Sequence, residues 1–440
     1  MTMDRSIESA LVSWAKSQDR RPLLLSGARQ VGKTYILKAF ARKHYPKVHE
    51  FNFEEDEQLG SIFEPDLKIP RILEELSFHG GNTIDSTRDL ILFDEIQQCP
   101  RALSSLKYFH EKMPQQALCC AGSLIGVKMA QASFPVGQVD YLWLRPLTFS
   151  EFLRGIGDEK GYRALHCLKG KESGSQIVHH HLWNRLKEYY VTGGMPAVVK
   201  TYQQHMADKS HAFSEVRRVQ AALVRDYSND FAKHSGKINS VHIQGVFENI
   251  PRQLSQHTDG SVQRYRFKDV LTNKKAFSEL AGPIQWLVQA GLALRVHICN
   301  RAEVPLSAFT QANRFKLYLF DTGLLGCMLG IPPASLIQQD YGATKGYFAE
   351  NLVAQALKRS DDEPLHAWNE GRAEIEFLKM EQNLIIPVEV KSGTRTKAKS
   401  LQTYKRKYQP DHVVKCTAKP LRRDTDSHYV NVPLYMAEYL

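Results

Sequence analysis

Apolar positions in the first 150 residues fall into two kinds of run that take turns along the chain. Nearly continuous apolar stretches at 21–26 (RPLLLS), 89–94 (DLILFD), 117–122 (ALCCAG) and 141–147 (YLWLRPL) read as strands buried on both faces. The stretch 49–56 alternates instead, with Phe51 and Phe53 on one side, as a strand with one covered face does. Between them the spacing turns helical: 34–45 puts Ile36, Leu37, Phe40 and Ala41 along one face, and 101–112 repeats the pattern. Strand and helix in alternation predict an α/β fold around a mainly parallel sheet.

Beyond position 150 the pattern is helical to about 199, closing on GGMP at 193–196, and stays helical to about 230. His179, His180 and His181 lie here; consecutive residues do not share a helix face, which argues for surface histidines over a metal site. The segment 239–330 mixes short helices with strand-like runs at 293–299 and 314–320. Within it, 265–271, 277–290 and 292–299 read as helix, helix and strand, an order similar to a winged helix. Phe277, Leu280, Ile284, Leu287 and Val288 would be its core, leaving Lys274, Lys275 and Gln285 as the polar positions able to read a groove. The last hundred residues return to α/β, with a helix at 347–359 and a strand at 385–391.

A chain of 440 residues is too long for one ordinary core and predicts two to four domains. Its apolar share of 42% and charged share of 24% are those of a soluble globular protein. No apolar run approaches the roughly 20 residues that span a bilayer, and positions 1–20 lack the apolar stretch of a secretory signal. The expectation is a cytoplasmic protein without a membrane partner. Seven scattered cysteines, none in a C-x-x-C pair, suggest reduced thiols. The net charge is +11, and much of it sits between 391 and 423. Eleven bases (Lys391, Arg395, Lys397, Lys399, Lys405, Arg406, Lys407, Lys415, Lys419, Arg422, Arg423) face one acid there, Asp411. Such a concentration suits a polyanion, DNA above all; a merely solvated surface is the other reading.

The sharpest chemical signal is GARQVGKT at 27–34, a match to G-x-x-x-x-G-K-[ST] that follows a strand and opens a helix. In this arrangement Gly27, Ala28, Arg29, Gln30, Val31, Gly32, Lys33 and Thr34 turn their backbone N–H groups toward phosphates at a helix N-terminus. Lys33 would reach the β and γ phosphates of ATP, and the Thr34 hydroxyl would hold Mg²⁺. The apolar strand LILF then ends in Asp94 and Glu95: Asp94 for the metal, Glu95 to orient and polarise the attacking water. Ser123, after the next strand, is placed to touch the γ phosphate or the water, or is simply a turn serine. Arg145 and Arg154 are candidates for the arginine that phosphoryl transfer uses, supplied in cis or by a neighbouring subunit.

With these motifs in hand, the chain resembles the bacterial and archaeal AAA-type ATPases that join an N-terminal P-loop domain to a C-terminal domain of unknown function. The resemblance runs nearly end to end, through LLSGARQVGKT (24–34), LFDEIQ (92–97), GS (122–123), FPVG (134–137) and LRPLTFSEFL (144–153). It continues through GGMPAVV (193–199), YLFDTGL (318–324), EN (350–351), AEIEF (373–377) and VEVKSG (388–393). Two positions depart from it: Gln138 stands where a basic residue is common, and Glu376 where Asp is usual. The resemblance implies an AAA-like core at 1–150, a helical lid at 151–235, a winged-helix-like domain at 236–335 and an endonuclease-like domain of the PD-(D/E)XK type at 336–440. It also implies ATP binding; a homo-oligomer is a further expectation.

Nucleases of that fold place an acid on one strand and Glu-x-Lys on the next around a divalent metal. Here those positions are Glu376, then Glu389 and Lys391, with Glu350 on the preceding helix able to complete an oxygen cage. The same groups serve equally as a structural ion-pair cluster in an inactive or DNA-binding module. The functional expectation is an ATP-dependent switch or motor on DNA; an ATP-gated nuclease and a nucleotide-controlled regulator of a protein partner are the alternatives.

Overall fold

A computed structural model describes residues 5–123, 137–235, 237–255, 264–268, 270–272, 274–339, 342, 344–358, 363–393, 399–424 and 428–440. Phe134, Pro135, Val136, Arg395 and Lys397, singled out above, lie outside them. The chain divides into two compact units, one of residues 1–145 with 289–291, the other of 146–288 with 292–440.

The first unit is built on a parallel five-stranded sheet of order β2-β3-β4-β1-β5. Its strands are β1 (Leu23–Ser26), β2 (Val48–Asn52), β3 (Leu90–Asp94), β4 (Ala117–Ala121) and β5 (Asp140–Trp143). The three central strands are buried at every position, which is why their sequences run apolar without alternation. Edge strand β2 buries only His49 and Phe51, hence its polar–apolar alternation. Phe93 of β3 meets Phe51, Phe53, Phe63 and Phe109 at ring separations of 5.4–6.3 Å. These edge-on contacts lock β3, and with it the acids at its end, against the helical layer formed in part by Pro100–Lys112.

In the second unit, eight strands form one mixed sheet of order β12-β13-β11-β10-β9-β8-β6-β7. They are β6 (Ala293–Cys299), β7 (Thr310–Leu319), β8 (Leu365–Glu370), β9 (Ala373–Glu381), β10 (Leu384–Val390), β11 (Val413–Thr417), β12 (Arg422–Asp424) and β13 (Tyr429–Pro433). The pair β6–β7, read as strand-like runs within 239–330, continues into the C-terminal sheet through parallel pairing of β6 with β8. One expectation fails nearby. Residues 265–268 are not helical: the Tyr265 N–H donates to Phe315 O (2.7 Å), and its ring stacks on Phe315 at 6.0 Å. Aromatic packing of Tyr265, Phe267 and Phe277 around Phe315 overrides the local periodicity.

The helices of this unit are pinned by close backbone contact. Helix Phe149–Gly155 starts with a capping box, in which Thr148 and Glu151 satisfy each other's backbone N–H groups. Further on, the GGMP and DTGL motifs meet. Asp321, fully buried, accepts N–H groups of Gly194 (2.7 Å) and Leu324 (2.9 Å). Space here admits only hydrogen: a Cβ on Gly323 would stand 2.4 Å from Thr192 O, and one on Gly194 2.1 Å from Leu147 O. Among the described residues no helix is long and apolar enough to cross a membrane.

Candidate nucleotide site

Strand β1 delivers the chain into the loop of residues 27–32, and the helix Lys33–His44 leaves it. The turn needs unusual backbone. Gly27 has φ +151°, with Leu144 O only 2.2 Å from where a Cβ would sit, and Gly32 has φ +95° just before the helix. Gln30 also takes a positive φ of 62° without being glycine.

Lys33 is buried, and its ammonium donates to the carbonyls of Gly27 and Ala28, both at 3.0 Å. Burial pulls its pKa down to about 8, against the opposing pull of Glu95 and Asp94. Thr34 Oγ1 donates to Asp94 Oδ1 at 3.0 Å, so two hard oxygens from β3 and the helix start stand side by side. Burial raises the Asp94 pKa, opposed by that hydrogen bond.

Glu95 follows in the left-handed region, φ 48° and ψ 40°, a conformation that turns its carboxylate out of the strand direction. It is held there from two sides: the Ser123 hydroxyl donates to Glu95 Oε2 at 3.2 Å, and the Gln97 amide donates to the same oxygen. Arg29 Nε donates to Ser123 Oγ at 3.2 Å, and its far nitrogen lies 3.7 Å from Glu54 Oε1. The structure thus brings Lys33, Thr34, Asp94, Glu95 and Ser123 to one place. Gln97, Glu54 and the Arg29 side chain were not foreseen, although Gln97 sits inside the LFDEIQ motif. Of the two arginines considered from sequence, Arg145 lies over the Trp143 ring (5.4 Å) in the first unit. Arg154, in the second unit, lies over Tyr162 (5.0 Å) and beside Glu159 (4.0 Å). Gln138, standing where a basic residue is common in the proteins the chain resembles, accepts through its Oε1 from His110 Nδ1–H at 2.6 Å.

The acids of the C-terminal region also converge. Lys391 Nζ lies 3.0 Å from Glu376 Oε1 and 2.8 Å from Glu389 Oε1, while the Val390 N–H donates to Glu376 Oε2 at 3.1 Å. Glu350 Oε2 accepts from the Tyr318 hydroxyl (2.7 Å) and faces Lys316 Nζ at 3.7 Å. Lys316 also pairs with Glu374. Lys316, Tyr318 and Glu374 were missed from sequence, although Lys316 and Tyr318 are two apart on β7, and Glu374 and Glu376 two apart on β9. Burial, then neighbouring acids, push the Glu350 pKa up to about 7 and that of Glu389 to about 8. For Lys316 burial pulls downward, but Glu374, Glu350 and Glu376 outweigh it and hold the ammonium charged.

Three family profiles match the chain: an AAA domain over residues 19–153, and two domains of unknown function, DUF8612 over 184–335 and DUF4143 over 345–435. No curated protein matches. Among solved structures, similarity is found to the Aeropyrum pernix ORC1 protein in complex with DNA. The identity is 13%, over 75% of this chain and 91% of that one, with a TM-score of 0.32. Drosophila ORC bound to DNA is similar at 15% identity over 74% and 96%, TM-score 0.28. The Thermotoga maritima RuvB Holliday junction branch migration motor follows at 15% over 68% and 87%, TM-score 0.30. The profile match, the parallel sheet and the glycine loop agree on the same residues, and the N-terminal region of this chain is an AAA-type P-loop domain.

Proposed function

We propose that this chain is a Mg²⁺-dependent ATPase, converting ATP and water to ADP and phosphate, and that it works as a switch or motor on DNA. The observation that carries the enzymatic reading is the grouping around β3. Thr34 Oγ1 and Asp94 Oδ1 lie 3.0 Å apart, with Glu95 fixed beside them by Ser123 and Gln97. Two hard oxygens suit Mg²⁺, a cation that keeps several of its waters and when bound would neutralise phosphate charge. The rest is done by the protein's own groups. Loop amides cradle the phosphates, Lys33 exchanges its carbonyl partners for phosphate oxygens, and the Glu95 carboxylate orients water and accepts its proton. Arg29, hydrogen-bonded to Ser123, brings a guanidinium to that reacting region. A homo-oligomer, in which a neighbour adds a further arginine, fits the same chemistry.

Lys33→Ala should abolish nucleotide binding measured by calorimetry. Glu95→Gln should keep binding and lose phosphate release; normal turnover in Glu95→Gln would remove Glu95 from the role given to it.

Support for DNA comes from the basic face. Lys419, Arg422 and Arg423 are exposed, and the exposed Lys169 and Lys171 immediately precede residues 172–174, which pair alongside β12. The Arg423 N–H donates to Glu172 O at 2.7 Å in that pairing. Lys405 and Lys415 lie 4.1 and 4.4 Å from the centre of the Tyr429 ring. Two bases of the run are not available to DNA in the same way: Lys391 turns inward to Glu376 and Glu389, and Lys407 pairs with Glu370. DNA affinity should fall steeply with salt. Replacing Lys419, Arg422 and Arg423 by Ala should flatten the slope by about one unit per lost phosphate contact. A salt-independent interaction would instead favour a protein partner.

A further inference from the structure

The C-terminal acids invite comparison with a metal centre, and the residues around them do not fit one. Four carboxylates converge, from the helix Thr344–Leu357 (Glu350), from β9 (Glu374, Glu376) and from β10 (Glu389). Each faces an ammonium. Lys391 lies against Glu376 and Glu389, and Lys316 against Glu350 and Glu374. Lys391 alone decides nothing, since nucleases of this architecture keep a lysine there. Lys316 is different. It comes from β7, outside the Glu-x-Lys strand, and its side chain is 1% exposed, sealed between the helix acid and the strand acids. Among the described residues no three His, Cys, Asp or Glu side chains are grouped so as to hold a metal ion.

We infer that the Lys316 ammonium stands in for a divalent cation, so that the four carboxyl groups and two ammoniums form a closed cluster and the module does not hydrolyse phosphodiesters. A buried lysine needs its charge balanced on the spot, and Glu350 with Glu374 does so. A metal entering between them would meet a fixed positive charge and would have to displace Lys316 from a place water does not reach. The closed cluster keeps β7, β9, β10 and the helix Thr344–Leu357 in register, a structural task that preserves the acids without catalysis. This inference does not depend on the ATPase reading.

The test uses the full chain. Supercoiled plasmid with Mg²⁺ or Mn²⁺ should stay uncut, with Glu389→Gln no different from the parent protein. Mn²⁺ titrated into nucleotide-free protein carrying Asp94→Asn, which silences the N-terminal oxygens, should find no stoichiometric site. Lys316→Met should gain one, seen as a rise of several degrees in melting temperature with Mn²⁺ that the parent lacks. Metal-dependent cleavage abolished by Glu389→Gln would overturn the inference, as would a stoichiometric Mn²⁺ site in the Asp94→Asn protein that Glu376→Gln removes. A folded Lys316→Met protein indifferent to Mn²⁺ would count against the stand-in. Should that variant not fold, cleavage and Mn²⁺ titration still decide.

Discussion

Lys33 shows how a single buried charge sets a pH window. In the free protein its ammonium rests on the Gly27 and Ala28 carbonyls, and burial lowers its pKa to about 8. A triphosphate needs the charged form. Below pH 8 that form is already present; above it, binding must take up a proton. ATP affinity should therefore be flat up to about pH 8 and then fall, approaching about tenfold per unit, as calorimetry in buffers of different ionisation enthalpy would reveal. Ser123 and Gln97 make a different prediction, because they touch Glu95 and leave the loop amides alone. Ser123→Ala and Gln97→Ala should slow turnover by on the order of tenfold to a hundredfold while ATP affinity holds, since they misplace the water-orienting carboxylate. Equal loss of affinity would show that they contact the nucleotide directly. Of these residues, Lys33, Thr34, Asp94 and Glu95 were legible from motif and spacing. The grip of Gln97 on Glu95 was not, because a left-handed turn at Glu95 decides which way both side chains face.

At the scale of elements, central strands were easy to read and irregular segments were not. Burial on both faces forces an unbroken apolar run, so β1, β3 and β4 announced themselves. Residues 265–268 have helical spacing but serve an aromatic cluster around Phe315, a partner some fifty positions away that local periodicity cannot reveal. The junction of GGMP and DTGL is similar. Its glycines mark a place where one backbone lies directly on another, with Gly323 beneath the Thr192 carbonyl. Gly323→Ala should cost about 2–3 kcal/mol of stability in urea unfolding of the second unit, since backbone on both sides leaves no side chain to yield. A loss within 0.5 kcal/mol would mean that the junction relaxes.

For the whole molecule, the second unit gathers residues 146–288 and 292–440 around one eight-stranded sheet and a buried charge cluster. Burial raises the carboxyl pKa of Asp321 to about 6, of Glu350 to about 7 and of Glu389 to about 8. The folded chain then holds protons that the unfolded chain releases above the ordinary carboxylate range. The stability from these groups is complete below about pH 4 and drains away as pH rises toward 8. Lys316 and Lys391, shifted upward by the acids beside them, lose their contribution only at more alkaline pH. The urea midpoint should decline from pH 5 to 8, and Glu389→Gln should flatten part of that decline. A midpoint that rises with pH over this range would mean that the acids are stabilised as anions.

What the amino-acid order determined by itself was everything that depends on neighbours in the chain. A glycine loop needs its glycines and lysine in fixed succession, a buried strand needs an apolar run, and a helix start needs its capping residues. The tertiary structure decided what depends on distant segments. It placed Lys316 among the acids, laid residues 172–174 beside β12, and carried β6 and β7 into the C-terminal sheet. The reason is physical: charge pairing and sheet pairing act across space, and their partners here stand from tens to hundreds of residues apart.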